Sequence, residues 1–152
     1  SVTGVQTCAL PIYNGANEID MVIHIGALID GQTDAVIRDI EAVANTVHKQ
    51  PNTLLKVILE TAILTPDQIR TACRATLDAN ADFVKTSTGL HKAGGATIEA
   101  VKLLAQYAQP LKVKAAGGIR SLDNALAMIQ AGAHRLGTSA SVAIMNEFTA
   151  RQ

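Results

Sequence analysis

The sequence has no tryptophan, only two tyrosines and two phenylalanines, and only two cysteines in 152 residues. With so few aromatics there is little to stack against bases or sugar rings, and the core must be built from Ala, Val, Ile and Leu. Cys8 and Cys73 have neither CxxC spacing nor a His cluster beside them, which argues against a disulfide scaffold and a zinc site and fits a reducing cytoplasm. Charge of one sign is also missing. Thirteen basic side chains face thirteen acidic ones with no basic run, so there is no electrostatic footprint for nucleic acid or an anionic membrane. The apolar runs are only of strand length, too short to span a bilayer. What remains, at 48% hydrophobic, is a globular chain rather than a disordered one.

The first dozen residues stand apart. The stretch VTGVQTCALPI, Val2 to Ile12, looks like the translation of a sequencing adapter read in one frame. Residues 1–12 are therefore expected to lie outside the fold, Cys8 with them, leaving 13–152 as the domain.

From there strands and helices alternate. Strands are expected at 18–24 (EIDMVIH), 54–61 (LLKVILET), 82–88 (DFVKTST), 111–118 (LKVKAAGG) and 134–139 (HRLGTS). Helices are expected from about Thr33 to His48, after Thr65 and Pro66 to about Ala79, from about Thr97 to Gln109, from about Ser121 to Ala131, and from the last strand to the end. Such alternation means βαβ units and a parallel sheet, either doubly wound or a (β/α)8 barrel. Asp20, Lys56, Lys85 and Lys114 recur at spacings of 36, 29 and 29, about one βα unit each.

Strand phase turns that rhythm into a candidate site. Successive side chains point to opposite faces, so Ile19, Met21 and Ile23 oppose Glu18, Asp20, Val22 and His24, while Leu55, Val57 and Leu59 oppose Lys56, Ile58 and Glu60. Asp20, Lys56, Lys85 and Lys114 then share one face, the side that would be a barrel's interior. That interior is normally filled by branched apolar residues, so ionisable groups there point to function. For Lys56, near the start of its strand, a structural ion pair is the expected role. Lys112 reads as a solvated residue where its strand begins. Lys85 and Lys114 differ, because two in-phase ammoniums on neighbouring strands repel. A like charge and partial burial both push a lysine from about 10.4 toward neutrality, and the neutral amine is the form that attacks carbonyls. Asp20 supplies a carboxylate to hold an ammonium or move a proton through water.

Glycines and hydroxyls cluster where the strands end. TGLHKAGGATIE, AAGGIR and LGTSA each precede a helix start, where free N–H groups and the helix dipole favour anions. Three such loops in a row, with Arg120 and Ser139, point to a phosphorylated ligand. No GxGxxG opens a helix and no GxxxxGK[ST] occurs, so neither a dinucleotide nor a nucleoside triphosphate is indicated.

Taken in order, EIDMVI, LLKVILET, DFVKTSTG, GGAT, VKAAGGIR and GTSA resemble the deoxyribose-phosphate aldolases, class I aldolases of (β/α)8 fold, from about Asn14 to about Phe148. The resemblance implies reversible cleavage of 2-deoxy-D-ribose 5-phosphate to D-glyceraldehyde 3-phosphate and acetaldehyde, in deoxyribonucleotide catabolism. It implies that Lys85 is the Schiff-base lysine, Lys114 the second active-site lysine and Asp20 the proton relay. The phosphate site would be Gly89, Gly117, Gly118, Arg120, Gly137 and Ser139, and no metal or organic cofactor would be needed. It leaves room for a homodimer of a full-length parent. His24, Ala116 and Ala140 stand where many relatives have Asn, Ser and Ser; His91 and Lys92 read as a solvated loop.

Five βα units are counted here against the eight of a barrel, so 13–152 would be strands four to eight of an incomplete barrel. Two other readings stay open. One is a different phosphate-binding Schiff-base barrel aldolase. The other is an inactive fragment that at most binds a phosphate ester, for which negligible turnover is expected.

Overall fold

The computed structural model describes residues 9–152; Cys8 and the rest of residues 1–8 lie outside the described residues. Five strands, β1 (Glu18–Val22), β2 (Leu54–Ile58), β3 (Phe83–Lys85), β4 (Lys112–Ala116) and β5 (Arg135–Gly137), form one sheet in sequence order. Every neighbouring pair is parallel. The helices are α1 (Ile25–Ile29), α2 (Thr33–Val47), α3 (Pro66–Asp78), α4 (Ile98–Tyr107), α5 (Leu122–Gln130) and α6 (Ser141–Ala150), with a 3-10 turn at Thr61–Ile63.

The core lies between these helices and one face of the sheet. Val36, Ile40, Val43, Ala44 and Val47 of α2 repeat at helical spacing and are buried, facing the buried Leu55 and Val57 of β2 and the neighbouring helix residues Ile69, Ala72 and Cys73. Val84, Val101, Leu104, Val113 and Ala115 continue the same layer. Each fully buried Val, Leu or Ile contributes about 1.5–3 kcal/mol relative to exposure. Burial in this layer also pushes the Cys73 thiol up to about 12, which makes it an inert core residue.

Helix starts follow the sequence signals. Thr65 caps α3 by accepting from Gln68 N–H, the Gln68 side chain accepts in return from Thr65 N–H, and Pro66 occupies the first turn. Thr97 and Ser121 cap α4 and α5 by accepting from Ala100 N–H and Asn124 N–H.

Three differences from the sequence reading have local causes. The strands end earlier than expected: beyond Val22, Ile58 and Lys85 the regular pairing stops and a few ladder bonds continue, from Ile23 N–H to Ile58 O (3.0 Å), Leu59 N–H to Lys85 O (2.9 Å), Thr61 N–H to Thr86 O (2.9 Å) and Thr86 N–H to Lys114 O (3.1 Å). Helix α1 was not foreseen, and His24, read as the last residue of a strand, is its N-cap: its Nδ1 accepts from Ala27 N–H at 3.1 Å. Residues 9–13 are helical and Ile12 joins the hydrophobic core at 7% exposure, so the edge of the stretch set outside the fold packs onto it. An isoleucine beside an apolar groove buries itself whatever its origin.

The sheet is strongly curled. In a flat sheet β1 and β5 would lie four strand spacings apart, about 19 Å, beyond the combined reach of an arginine and a glutamate. Yet Arg135 Nη1 of β5 donates to Glu18 Oε2 of β1 at 2.5 Å. The concave face is thus folded toward itself.

Candidate active site

Strand register assembles the charged cluster on that concave face. Asp20 pairs with Lys56 across β1 and β2, and Lys85 pairs with Lys114 across β3 and β4. Curling brings the two pairs together at one carboxylate. Lys56 Nζ donates to Asp20 Oδ1 at 2.8 Å; Lys85 Nζ and Lys114 Nζ both donate to Asp20 Oδ2, at 2.7 and 3.0 Å. All four residues singled out by phase therefore meet.

Their roles divide by contact. Lys56, 2% exposed, is held by Asp20 and by Glu18 Oε2 at 3.0 Å, the structural ion pair its position suggested. Glu18 is held below the usual carboxylate range first by its bond from Lys56 and then by Arg135. At Asp20, burial alone would raise the carboxyl, but the bonds from Lys56, Lys85 and Lys114 outweigh it and hold the group well below the ordinary range. Burial lowers the Lys114 ammonium below the ordinary lysine value; the bond to Asp20 opposes that, and the positive charges of Lys85 and Lys56 add to it. Partial burial and like charge, both expected from sequence, act at Lys114 in the direction expected, burial most strongly; the carboxylate that bridges the two amines was not foreseen.

Next to the lysines, at the carboxyl ends of β3, β4 and β5, lies a cavity of about 370 Å3. It is lined by Lys85 and Lys114 and by all of the residues expected to hold a phosphate: Gly89, Gly117, Gly118, Arg120, Gly137 and Ser139. Among the described residues the N–H groups of Gly89, Gly117 and Gly118 donate to no protein acceptor. These glycines have φ of +83, +90 and +79°, a conformation that side chains resist. Helix α6 begins here without a side-chain cap, so its N–H groups remain free for an anion. Gly137 leaves space for Lys114, since a Cβ there would lie 3.0 Å from Ala116 Cβ and 3.5 Å from Lys114 Cε.

Gly95 lies directly against Gly117, which lines the cavity. A Cβ on Gly95 would sit 2.4 Å from both the carbonyl carbon and oxygen of Gly117. Gly95→Ala is expected to cost about 1–3 kcal/mol by overpacking, read as a lower denaturation midpoint; an unchanged midpoint would mean that the wall yields freely.

Several side chains of the site were not foreseen. Thr88 and Thr138 line the cavity. Thr138 Oγ1 donates to Ile119 O at 2.6 Å and accepts from Ala140 N–H at 2.9 Å, fixing the loop before α6. The fully buried Thr86 Oγ1 donates to Ala116 O (3.2 Å) and accepts from Ala116 N–H (3.0 Å), stitching β3 to β4 beside the lysines. Hydroxyl residues just past a buried strand were the available signal. His91 and Lys92 are exposed, as a solvated loop would be, and the His91 Nδ1 bonds only within its loop, to Ala93 N–H. No helix of the described residues is long and apolar enough to cross a membrane.

A family model described as DeoC/LacD family aldolase matches residues 2–146. The chain is 53% identical over 135 residues to the deoxyribose-phosphate aldolase of Kocuria rhizophila, a match covering 88% of this chain and 61% of that protein. It is also 53% identical over 135 residues to the deoxyribose-phosphate aldolase of Thermococcus gammatolerans, covering 88% of this chain and 59% of that one. The tetrameric structure of the deoxyribose phosphate aldolase from Aeropyrum pernix superposes with a TM-score of 0.87 at 31% identity, over 97% of this chain and 62% of that one. The chain spans about three-fifths of the length of the curated relatives it matches. Its curled sheet is part of a (β/α)8 barrel, and with a lysine pair on the concave face and glycine loops at the strand ends, the chain belongs to the DeoC/LacD family of aldolases.

Proposed function

We propose that this chain carries the Schiff-base site of a deoxyribose-phosphate aldolase, with Lys85 the nucleophile, Lys114 and Asp20 its proton-handling partners, and 2-deoxy-D-ribose 5-phosphate the substrate. One observation carries the reading: Lys85 and Lys114 share Asp20 Oδ2 beside a cavity whose other wall is glycine loops and Arg120. Relatives at about half identity bear that name.

Chemistry follows from these contacts. The free amine of Lys85 adds to the substrate aldehyde, and loss of water gives an iminium. That cation accepts the electron pair of the breaking C–C bond while the hydroxyl on the departing carbon gives up its proton to a nearby base, releasing glyceraldehyde 3-phosphate and leaving an enamine. A proton delivered to the enamine carbon regenerates an iminium, and water hydrolyses it to acetaldehyde and free Lys85. Asp20 Oδ2 touches both amines, so a proton leaving one has an acceptor within hydrogen-bond reach and a second amine beyond it. Gly89, Gly117, Gly118, Arg120, Gly137 and Ser139 would hold the phosphate, mainly through backbone N–H groups, and so fix the aldehyde end near Lys85. A cytoplasmic setting and a homodimer of the full-length protein belong to the same reading, as does the assignment of 13–152 to strands four to eight of the barrel and of 1–12 to foreign sequence.

Borohydride trapping tests it. After incubation with acetaldehyde and reduction, peptide mass spectrometry should find the ethyl adduct concentrated on Lys85. A uniform low level over all lysines would overturn the assignment.

A further inference from the structure

Glu60 has no part in the chemistry above, yet it is among the most constrained residues of the chain. It is 3% exposed and lies just past β2 with φ +57° and ψ +56°, a left-handed conformation that costs a non-glycine residue about 1–3 kcal/mol. Its neighbour Thr61 is tied to the tail of β3 by the bond from Thr61 N–H to Thr86 O. From this fixed point the Glu60 carboxyl reaches the loop after β3. Oε2 accepts from Thr88 N–H at 3.2 Å and from Thr88 Oγ1 at 2.6 Å, while Oε1 is buried without a partner.

The consequence falls on the cavity wall. Both donors of Thr88 are occupied by Glu60, so Thr88 lines the cavity without offering it a proton. Thr88 Oγ1 in turn accepts from Leu90 N–H at 3.1 Å. The residue enclosed between these two anchored positions is Gly89. It lies close to Gly117: a Cβ added there would sit 3.2 Å from Gly89 Cα, so the two loops approach with no room for a side chain between them.

We propose that Glu60 is a positioning residue for the anion-binding wall: through Thr88 and Leu90 it aims the Gly89 N–H into the cavity and holds Gly89 against Gly117. It never touches the ligand. The inference rests on the reading of this cavity as a phosphate site, and it assigns a function to strain and burial that the aldol chemistry leaves unused.

The test uses inorganic phosphate as the probe, followed through the Gly89 and Gly117 amide resonances, alongside acetaldehyde trapping at Lys85, which involves no phosphate. Glu60→Ala should weaken phosphate binding about tenfold or more and move the Gly89 amide resonance in the unliganded protein, with a much smaller loss of trapping rate. Glu60→Gln keeps an accepting oxygen for Thr88 and should restore most of the affinity. Thr88→Val, which removes the hydroxyl link but keeps the N–H, should weaken phosphate binding, and combined with Glu60→Ala it should add little, as two changes in one chain of contacts do. Parent-like phosphate affinity in Glu60→Ala would overturn the proposal. So would equal losses in Glu60→Ala and Glu60→Gln, additive losses with Thr88→Val, or a parallel fall in trapping. Should Glu60→Ala not fold, Glu60→Gln and Thr88→Val decide the matter by the same criteria. If the parent chain itself shows no phosphate shift, the phosphate-site reading fails first and the inference with it.

Discussion

Asp20→Asn is expected to destabilise the chain by about 3 kcal/mol at neutral pH, in the range for breaking a largely buried ion pair. Three ammoniums converge on this carboxylate, two on Oδ2 and one on Oδ1. The side chains of Lys56, Lys85 and Lys114 are only 3, 11 and 16% exposed. An amide of the same shape still has one accepting oxygen but no charge, leaving three clustered cations with Glu18 as the only anion, among the described residues, still bonded to any of them. The loss has a signed pH dependence. Because the native Asp20 carboxyl lies below its unfolded value, its contribution is fully present above the ordinary carboxylate value of about 3.9 and is lost as the pH falls from there through the depressed native value. Urea denaturation of parent and variant at neutral pH and in acid should therefore show the gap between them closing only on the acid side. A gap that is small at neutral pH, or one that persists undiminished in strong acid, would show that Asp20 does not organise the lysines.

Lys85→Arg should bring the trapped acetaldehyde adduct at position 85 to nothing while leaving the fold intact. Arginine keeps the positive charge and can still donate to Asp20, but its guanidinium does not give up its proton in proteins and so offers no nucleophilic amine. Lys114→Met is the informative companion. It removes one of the two donors on Asp20 Oδ2 without touching the nucleophile, and should slow adduct formation on the order of a hundredfold, as loss of an acid–base partner does. Complete abolition by Lys114→Met together with persistent adduct in Lys85→Arg would exchange the two roles.

The order of strands and helices was legible because it depends on local periodicity and on caps such as Thr65 and Pro66, which act over a few residues. The cluster of Asp20, Lys56, Lys85 and Lys114 was legible for a related reason: alternation fixes which face a strand residue takes once the strand is located. That Asp20 would bridge Lys85 and Lys114 was not legible, since it depends on how sharply the sheet curls, and curvature leaves no mark on alternation. Glu60 was placed by phase on the face of Lys56 but given no role, and Thr86 and Thr88 were not singled out, because the importance of all three lies in side-chain bonds to residues about 30 positions away. His24 was misplaced for a different reason. Its phase continues β1, but its ring nitrogen serves the N–H of Ala27 better than the sheet, and a helix of only five residues gives too short a pattern to betray itself. The anion wall was legible in composition, as glycines before helix starts, while the contact that makes Gly95 obligatory there is visible only in three dimensions.

The bond between Arg135 and Glu18 joins residues 117 positions apart, and that between Lys114 and Asp20 joins residues 94 apart. Contacts so distant along the chain close the largest loops and carry the greatest entropic cost at formation. The concave cluster can therefore exist only once strands from both ends of the described chain have docked. Reactivity at Lys85 is then a clock as well as a chemistry: in a refolding experiment, the time at which the lysine becomes trappable marks the arrival of Asp20 on β1 across the concave face from Lys85 and Lys114.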